Sequence, residues 1–150
     1  MNAEASERPT IVVGVDGSEA SRRALQWAAR QAGYRGAELN VVTTWEFPTT
    51  FGWAPPYPPD FDPEADTRKA LEDTVADVLG PSPEIPVRLT VVEGHPAPVL
   101  VKKAEGAELL VVGSRGHGAF VGMVIGSVSE HCAAHAPCPV VVVRHPDDKE

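Results

Sequence analysis

Apolar residues along this chain come in two rhythms. Short, nearly unbroken runs of apolar and β-branched residues fall at Thr10–Val15, Glu38–Trp45, Val87–Glu93, Glu108–Gly113 and Pro139–Arg144. The unbroken runs at Thr10–Val15 and Leu109–Val112 lack the polar alternation of a half-exposed sheet and mark strands buried on both faces. Between the runs the spacing shifts to threes and fours. Ala24, Leu25, Ala28 and Ala32 stripe a helix that opens after the Asp16-Gly17-Ser18 turn, capped by Ser18 or Asp16, and stops near Gly33 or Gly36. Ala70, Leu71, Val75, Val78 and Leu79 stripe a second helix, Glu64–Leu79, ended by Gly80-Pro81. A short third helix covers Pro96–Glu105 with Val99, Leu100 and Ala104 inward, and a fourth covers Ser127–Ala136 before Pro137 stops it.

Five strands alternating with four helices predict an α/β fold: a three-layer sandwich around one five-stranded parallel sheet, joined by right-handed crossovers. Residues 10–145 read as one domain between polar tails at 1–9 and 146–150, and 150 residues suffice for a sizeable core. One connection breaks the rhythm. Glu46–Pro63 holds six prolines and five aromatic residues. The prolines prevent regular structure, and Phe47, Phe51, Trp53, Tyr57 and Phe61 are too apolar for a purely solvated loop. The segment therefore reads either as a lid or partner-binding surface, or as an Ω-loop packed on its own side chains.

Composition narrows the partners. A net charge of −8 argues against nucleic acid or an anionic membrane, because phosphate backbones are bound through basic patches. It leaves room for one small nucleotide, which backbone N–H groups and a single arginine can hold locally. No apolar run reaches the roughly 18 residues of a membrane span, and Met1–Pro9 lacks the pattern of a signal peptide, so a soluble, cytoplasmic protein is expected. The cluster His131-Cys132-x-x-His135-x-x-Cys138 invites a zinc reading, but its spacing matches known ligand sets poorly. The cysteines read as small buried residues and the histidines as helix-surface groups, with no metal ligand expected among them.

Candidate chemistry concentrates between Leu109 and Ser129. The apolar strand ends at Gly113, glycines recur at Gly116, Gly118, Gly122 and Gly126, and a helix opens at Ser127. Glycines there let a ligand approach the main chain, while a helix start presents unpaired N–H groups and a positive dipole end. That is the local chemistry of a phosphate site, with the N–H groups of Ser127, Val128 and Ser129 as donors and Arg115 as a nearby cation. The competing reading for Ser127 is a capping box with Glu130, and for the glycines plain tight turns.

The spacing Gly113-x-x-Gly116, nine residues, then Gly126-Ser127 resembles the nucleotide-binding signature of the universal stress protein family in its ATP-binding form. The opening IVVGVDGSEASRRAL and the tail SVSEHCAAHAPCPVVVVR are similar to the same family, so the resemblance runs from Ile11 to Arg144. It implies strand order 3-2-1-4-5, a Rossmann-like arrangement whose order reverses between the first and fourth strands. Ligands bind at such reversals, beyond the strand C-termini. It also implies roles. Positions matching Gly113, Gly116, Gly126, Ser127 and Ser129 hold phosphates and ribose, Asp16 contacts the adenosine side, and Gly14, Val15, Thr44 and Val112 line the base. Mg²⁺ or Mn²⁺ would ride on the phosphates of ATP, and a homodimer would form through the last strand, Val140, Val141, Val142 and Val143.

No nucleophile, base and orienter are legible together, and neither a GxxxxGK[ST] loop nor an early GxGxxG is present. His95 and His117 read as solvated loop residues rather than phosphate ligands. The expected function is an ATP-responsive stress-response switch rather than an enzyme, with nucleotide shifting the population of an ordered crevice that a partner reads. The rivals are a slow ATPase, a cyclic-nucleotide-binding module, and a ligand-free dimeric interaction protein whose glycines serve turns alone.

Overall fold

Two parallel pairings of the first strand, each extended by one more strand outward, set the whole architecture. In the computed structural model, which describes residues 8–47, 58–114 and 125–144, strand β1 (Thr10–Gly14) lies between β2 (Glu38–Trp45) and β4 (Leu109–Gly113). Ile11 stands opposite Leu39 on one side and Leu109 on the other. β3 (Val87–Glu93) pairs with β2, and β5 (Val140–Val143) with β4, all parallel. The sheet order is β3-β2-β1-β4-β5, as the resemblance implied.

Alternate residues of each strand point to opposite faces, which builds two cores. Ile11, Val13, Leu39, Val41, Leu109 and Val111 pack beneath α1 (Glu19–Arg35) and α2 (Pro63–Leu79). Val12, Val42, Leu110 and Val112 pack beneath α3 (Pro96–Lys103) and α4 (Ser127–His135) with Leu100, Ala104 and Cys132. β1 and β4 are enclosed on both faces, which is why their sequences read as unbroken apolar runs. The alanines of α1 do what their size suggests: Ala24, Ala28 and Ala32 are fully buried and let the helix sit close on the sheet.

Element ends differ from expectation by a residue or two, for local reasons. Ser18, not Asp16, caps α1, accepting the Ser21 N–H at 3.2 Å, and the helix runs past Gly33 to Gly36, whose φ of 63° closes it. α2 starts at Pro63 because Asp62 supplies the cap, accepting the Ala65 N–H at 3.1 Å. α3 ends at Lys103 rather than Glu105, with Ala104 as its cap. α4 ends at His135, since Ala136 is extended (φ −66°, ψ 145°) ahead of Pro137. Among the described residues no helix is long and apolar enough to cross a membrane.

Candidate functional site

The turn after β1 and the end of β4 meet because their strands are neighbours. Gly113, the last residue of β4, lies against the first turn of α1, so that an added Cβ would stand 2.7 Å from the carbonyl carbon of Ala20. The β1 turn is held by its own side chains. Asp16 Oδ1 accepts the Ser18 N–H at 2.9 Å, and the Asp16 N–H donates to Ser21 Oγ at 3.3 Å. Ser21 Oγ in turn donates to the Ser18 carbonyl at 3.0 Å. Gly17 sits at the bend with φ 85°, a conformation that costs a residue with a Cβ. Asp16 is exposed at this rim. Beyond it, the Val15 N–H donates to the Val42 carbonyl at 2.9 Å, which sets the end of β2, with Thr44 half-buried, beside the same opening.

The start of α4 forms the other wall. Gly126 is its N-cap with an extended backbone (φ −75°, ψ 167°), and among the described residues no side chain caps the helix. The competing reading of a Ser127–Glu130 capping box does not hold: Ser127 is already the first helical residue, one position too late to cap. Ser127 is exposed and Val128 half-buried. Among the described residues no side chain accepts from the first-turn N–H groups, which form the positive end of the helix and suit an anion.

Ser129 departs from its expected role as a hydroxyl ligand. It is 2% exposed, and its Oγ–H lies 3.1 Å from the Ser114 carbonyl and 3.0 Å from the Gly126 carbonyl. The hydroxyl is turned inward because Ser129 shares a helix face with Cys132, three residues on, which is fully buried. Only its backbone N–H remains part of the helix start. Ser114 was not among the expected residues. It is fully buried, and its carbonyl also accepts the Gly126 N–H at 2.6 Å.

The glycines of the site serve contact more than conformation. Neither Gly14 nor Gly113 has a positive φ. A Cβ on Gly14 would stand 2.7 Å from Leu100 Cδ1, and one on Gly113 would strike the Ala20 backbone. Each is small because an element crosses there. Gly14, Val15, Asp16, Val112, Gly113, Gly126, Ser127, Val128 and Ser129 are thus gathered at the β1–β4 end of the sheet, with Thr44 on the adjoining strand. Arg115, Gly116, Gly118, Gly122 and His117 lie outside the described residues, as do residues 48–57 of the aromatic connection. Of that connection, Phe47 packs edge-on against Trp45 at 5.1 Å between centroids and reaches Phe61 at 6.2 Å. Its two ends are thereby drawn together beside β2. His95 occupies the N-cap position of α3 without a side-chain cap bond, and its Nδ1 lies 2.9 Å from Glu46 Oε2, which ties the ends of β2 and β3.

On α4, Cys132 is buried, and burial pushes its thiol up to about 11. Cys138 is raised in the same direction by the same cause. His131 and His135 are exposed with ring centroids 4.6 Å apart. Among the described residues no group of three or more His, Cys, Asp or Glu side chains is placed to hold a metal ion.

Comparison with known proteins bears on this crevice. The universal stress protein family model matches residues 7–144. A universal stress protein of Mycolicibacterium smegmatis is 37% identical over 138 residues, covering 91% of this chain and 46% of that protein. The chain spans about half the length of the curated relatives it matches. Among solved structures, UspA of Lactobacillus plantarum superposes with a TM-score of 0.73 at 22% identity, covering 91% of this chain and 97% of that one. A universal stress protein solved in complex with cAMP superposes with a TM-score of 0.68 at 27% identity, covering 91% and 97%.

Proposed function

The chain belongs to the universal stress protein family, and from that premise we propose that the crevice between β1 and β4 binds an adenine nucleotide, ATP, as a regulatory ligand. The observation that carries the reading is the start of α4, which no side chain among the described residues caps and which stands directly beyond the end of β4, the Gly126 N–H donating to the Ser114 carbonyl. The N–H groups of Ser127 and Val128 and the exposed Ser127 hydroxyl receive phosphate oxygens there. Asp16, exposed across the opening, takes the adenosine side, and Gly14, Val15, Thr44 and Val112 line the base. Arg115 and Gly116, which lie outside the described residues, are the further phosphate contacts of this reading. Mg²⁺ or Mn²⁺ would ride on the phosphate oxygens of the bound nucleotide.

Function on this reading is switching rather than turnover: nucleotide favours one arrangement of the crevice and a partner reads the difference. A second copy joins through β5, whose four valines are only half-buried at the edge of the sheet. The cAMP complex of a relative 27% identical favours a cyclic nucleotide as the alternative occupant. Calorimetric titration of ATP, ADP, AMP and cAMP in the presence of Mg²⁺, beside Gly126→Val, separates these. ATP binding that is lost in the folded variant supports the reading; tighter cAMP than ATP replaces the ligand, and no binding by either removes it. Light scattering of Val141→Glu against wild type tests the dimer.

A further inference from the structure

The Ser114 carbonyl is the fixed point at which the long connection from β4 to α4 both leaves and returns. Its own residue is fully buried, and the Ser114 N–H donates to the Val143 carbonyl at 2.8 Å, anchoring it to the sheet edge. The carbonyl then receives the Gly126 N–H at 2.6 Å and the Ser129 Oγ–H at 3.1 Å. A carbonyl oxygen has two lone pairs, so both are engaged. The Ser129 hydroxyl has one hydrogen, shared with the Gly126 carbonyl at 3.0 Å, and at 2% exposure it has none left for a ligand.

We infer that Ser129 is a positioning residue: its hydroxyl locks Ser114 to Gly126 and thereby holds the first turn of α4 in the orientation that presents its N–H groups to a phosphate. The lock is a property of the folded chain alone. Its bearing on ligand affinity rests on the nucleotide reading above. Removing the hydroxyl leaves no buried orphan, because the Ser114 carbonyl keeps the Gly126 N–H and the Gly126 carbonyl keeps the Glu130 N–H at 2.9 Å. What is lost is a constraint. The first turn then samples orientations in which its N–H groups do not converge, and a multiply charged phosphate chain suffers more than an uncharged nucleoside.

The test compares Ser129→Ala with Ser127→Ala, whose hydroxyl is exposed. Two readouts are taken: amide exchange at Gly126 by NMR without ligand, and titration with ATP and with adenosine. Losing one hydrogen bond of ordinary net strength changes an equilibrium by about fivefold. Ser129→Ala is expected to speed Gly126 exchange by about that factor, and to weaken ATP about fivefold while leaving adenosine unchanged. Ser127→Ala is expected to weaken ATP without touching Gly126 exchange. Unaltered Gly126 exchange in Ser129→Ala overturns the lock. Faster exchange with unchanged ATP affinity, or with adenosine weakened as much as ATP, overturns the positioning role. A wild-type protein that binds no nucleotide sinks the functional reading and the positioning role with it, while the exchange result still decides the lock. Should Ser129→Ala fail to fold, Ser129→Cys supplies a near-isosteric, weaker donor for the same comparison.

Discussion

Gly113→Ala is the substitution that best separates packing from ligand binding at this site. An added Cβ would lie 2.7 Å from the carbonyl carbon of Ala20 and 2.9 Å from both its Cβ and its oxygen. Carbon atoms in contact prefer about 3.5–4.0 Å, so β4 and the first turn of α1 must part by most of an ångström. The clash is with the Ala20 backbone and its Cβ, neither of which has a rotamer that could yield. Overpacking of this kind costs about 1–3 kcal/mol, and a small entropic gain from Gly→Ala in the unfolded chain returns about 0.5 kcal/mol. At the upper end of that range, as befits a contact that cannot yield, the net loss is about 2–2.5 kcal/mol, which lowers the melting temperature by about 4–10 °C for a domain of this size. The control is Gly14→Ala, where the clash at 2.7 Å is with Leu100 Cδ1, the end of a side chain that can turn away. Its cost is about 1 kcal/mol. Urea denaturation followed by circular dichroism, with the m-value held constant, measures both. Gly113→Ala no less stable than Gly14→Ala would refute the close-crossing argument. A variant that kept full stability but lost nucleotide would show instead that Gly113 is small for the ligand.

Other perturbations follow the same physics. Cys132 is held protonated by burial, its pKa raised from 9.0 to about 11, so the folded chain binds that proton more tightly than the unfolded one. Its contribution is complete below pH 9 and fades as pH climbs toward 11, a loss of about 2 kcal/mol at pH 10.5. Urea midpoints of wild type and Cys132→Ala at pH 8 and 10.5 should therefore converge, and parallel losses would contradict this. Thr90→Val removes the donor that lies 2.6 Å from Asn40 Oδ1, leaving a side chain only 5% exposed without it. A cost of about 1–2 kcal/mol is expected in the same denaturation assay. Gly36→Ala meets no atom within 4 Å but places a Cβ at φ 63°. It should cost about 1 kcal/mol through the backbone alone.

Much of the fold was legible because β1, β2 and β4 carry their burial in their residue types. The runs Ile11–Val13 and Leu109–Val112 are buried on both faces, and no polar residue interrupts them. Strand order was not legible in the residues themselves and came from the resemblance, because parallel pairing leaves no local mark. Site glycines were legible as special but not as to why: that Gly113 is small for Ala20 and Gly14 for Leu100 depends on elements distant in sequence. Ser129 could have been read correctly. Its spacing of three from Cys132 places it on the inward face of α4, and an inward hydroxyl at a helix start looks for a carbonyl. Ser114 had no such mark. Only the folded chain shows that its carbonyl gathers both donors.

The central claim is that the open start of α4 is where the nucleotide's phosphates sit, and amide chemical shifts test it most directly. In a titration of the labelled protein with Mg²⁺-ATP, the account predicts the largest shifts at the N–H groups of Ser127, Val128 and Ser129. Smaller shifts should appear at Gly14, Val15 and Asp16 across the crevice, and Gly126→Val should abolish both sets. Saturable ATP binding that leaves the α4 amides unmoved, or shifts confined to another face of the sheet, would contradict it.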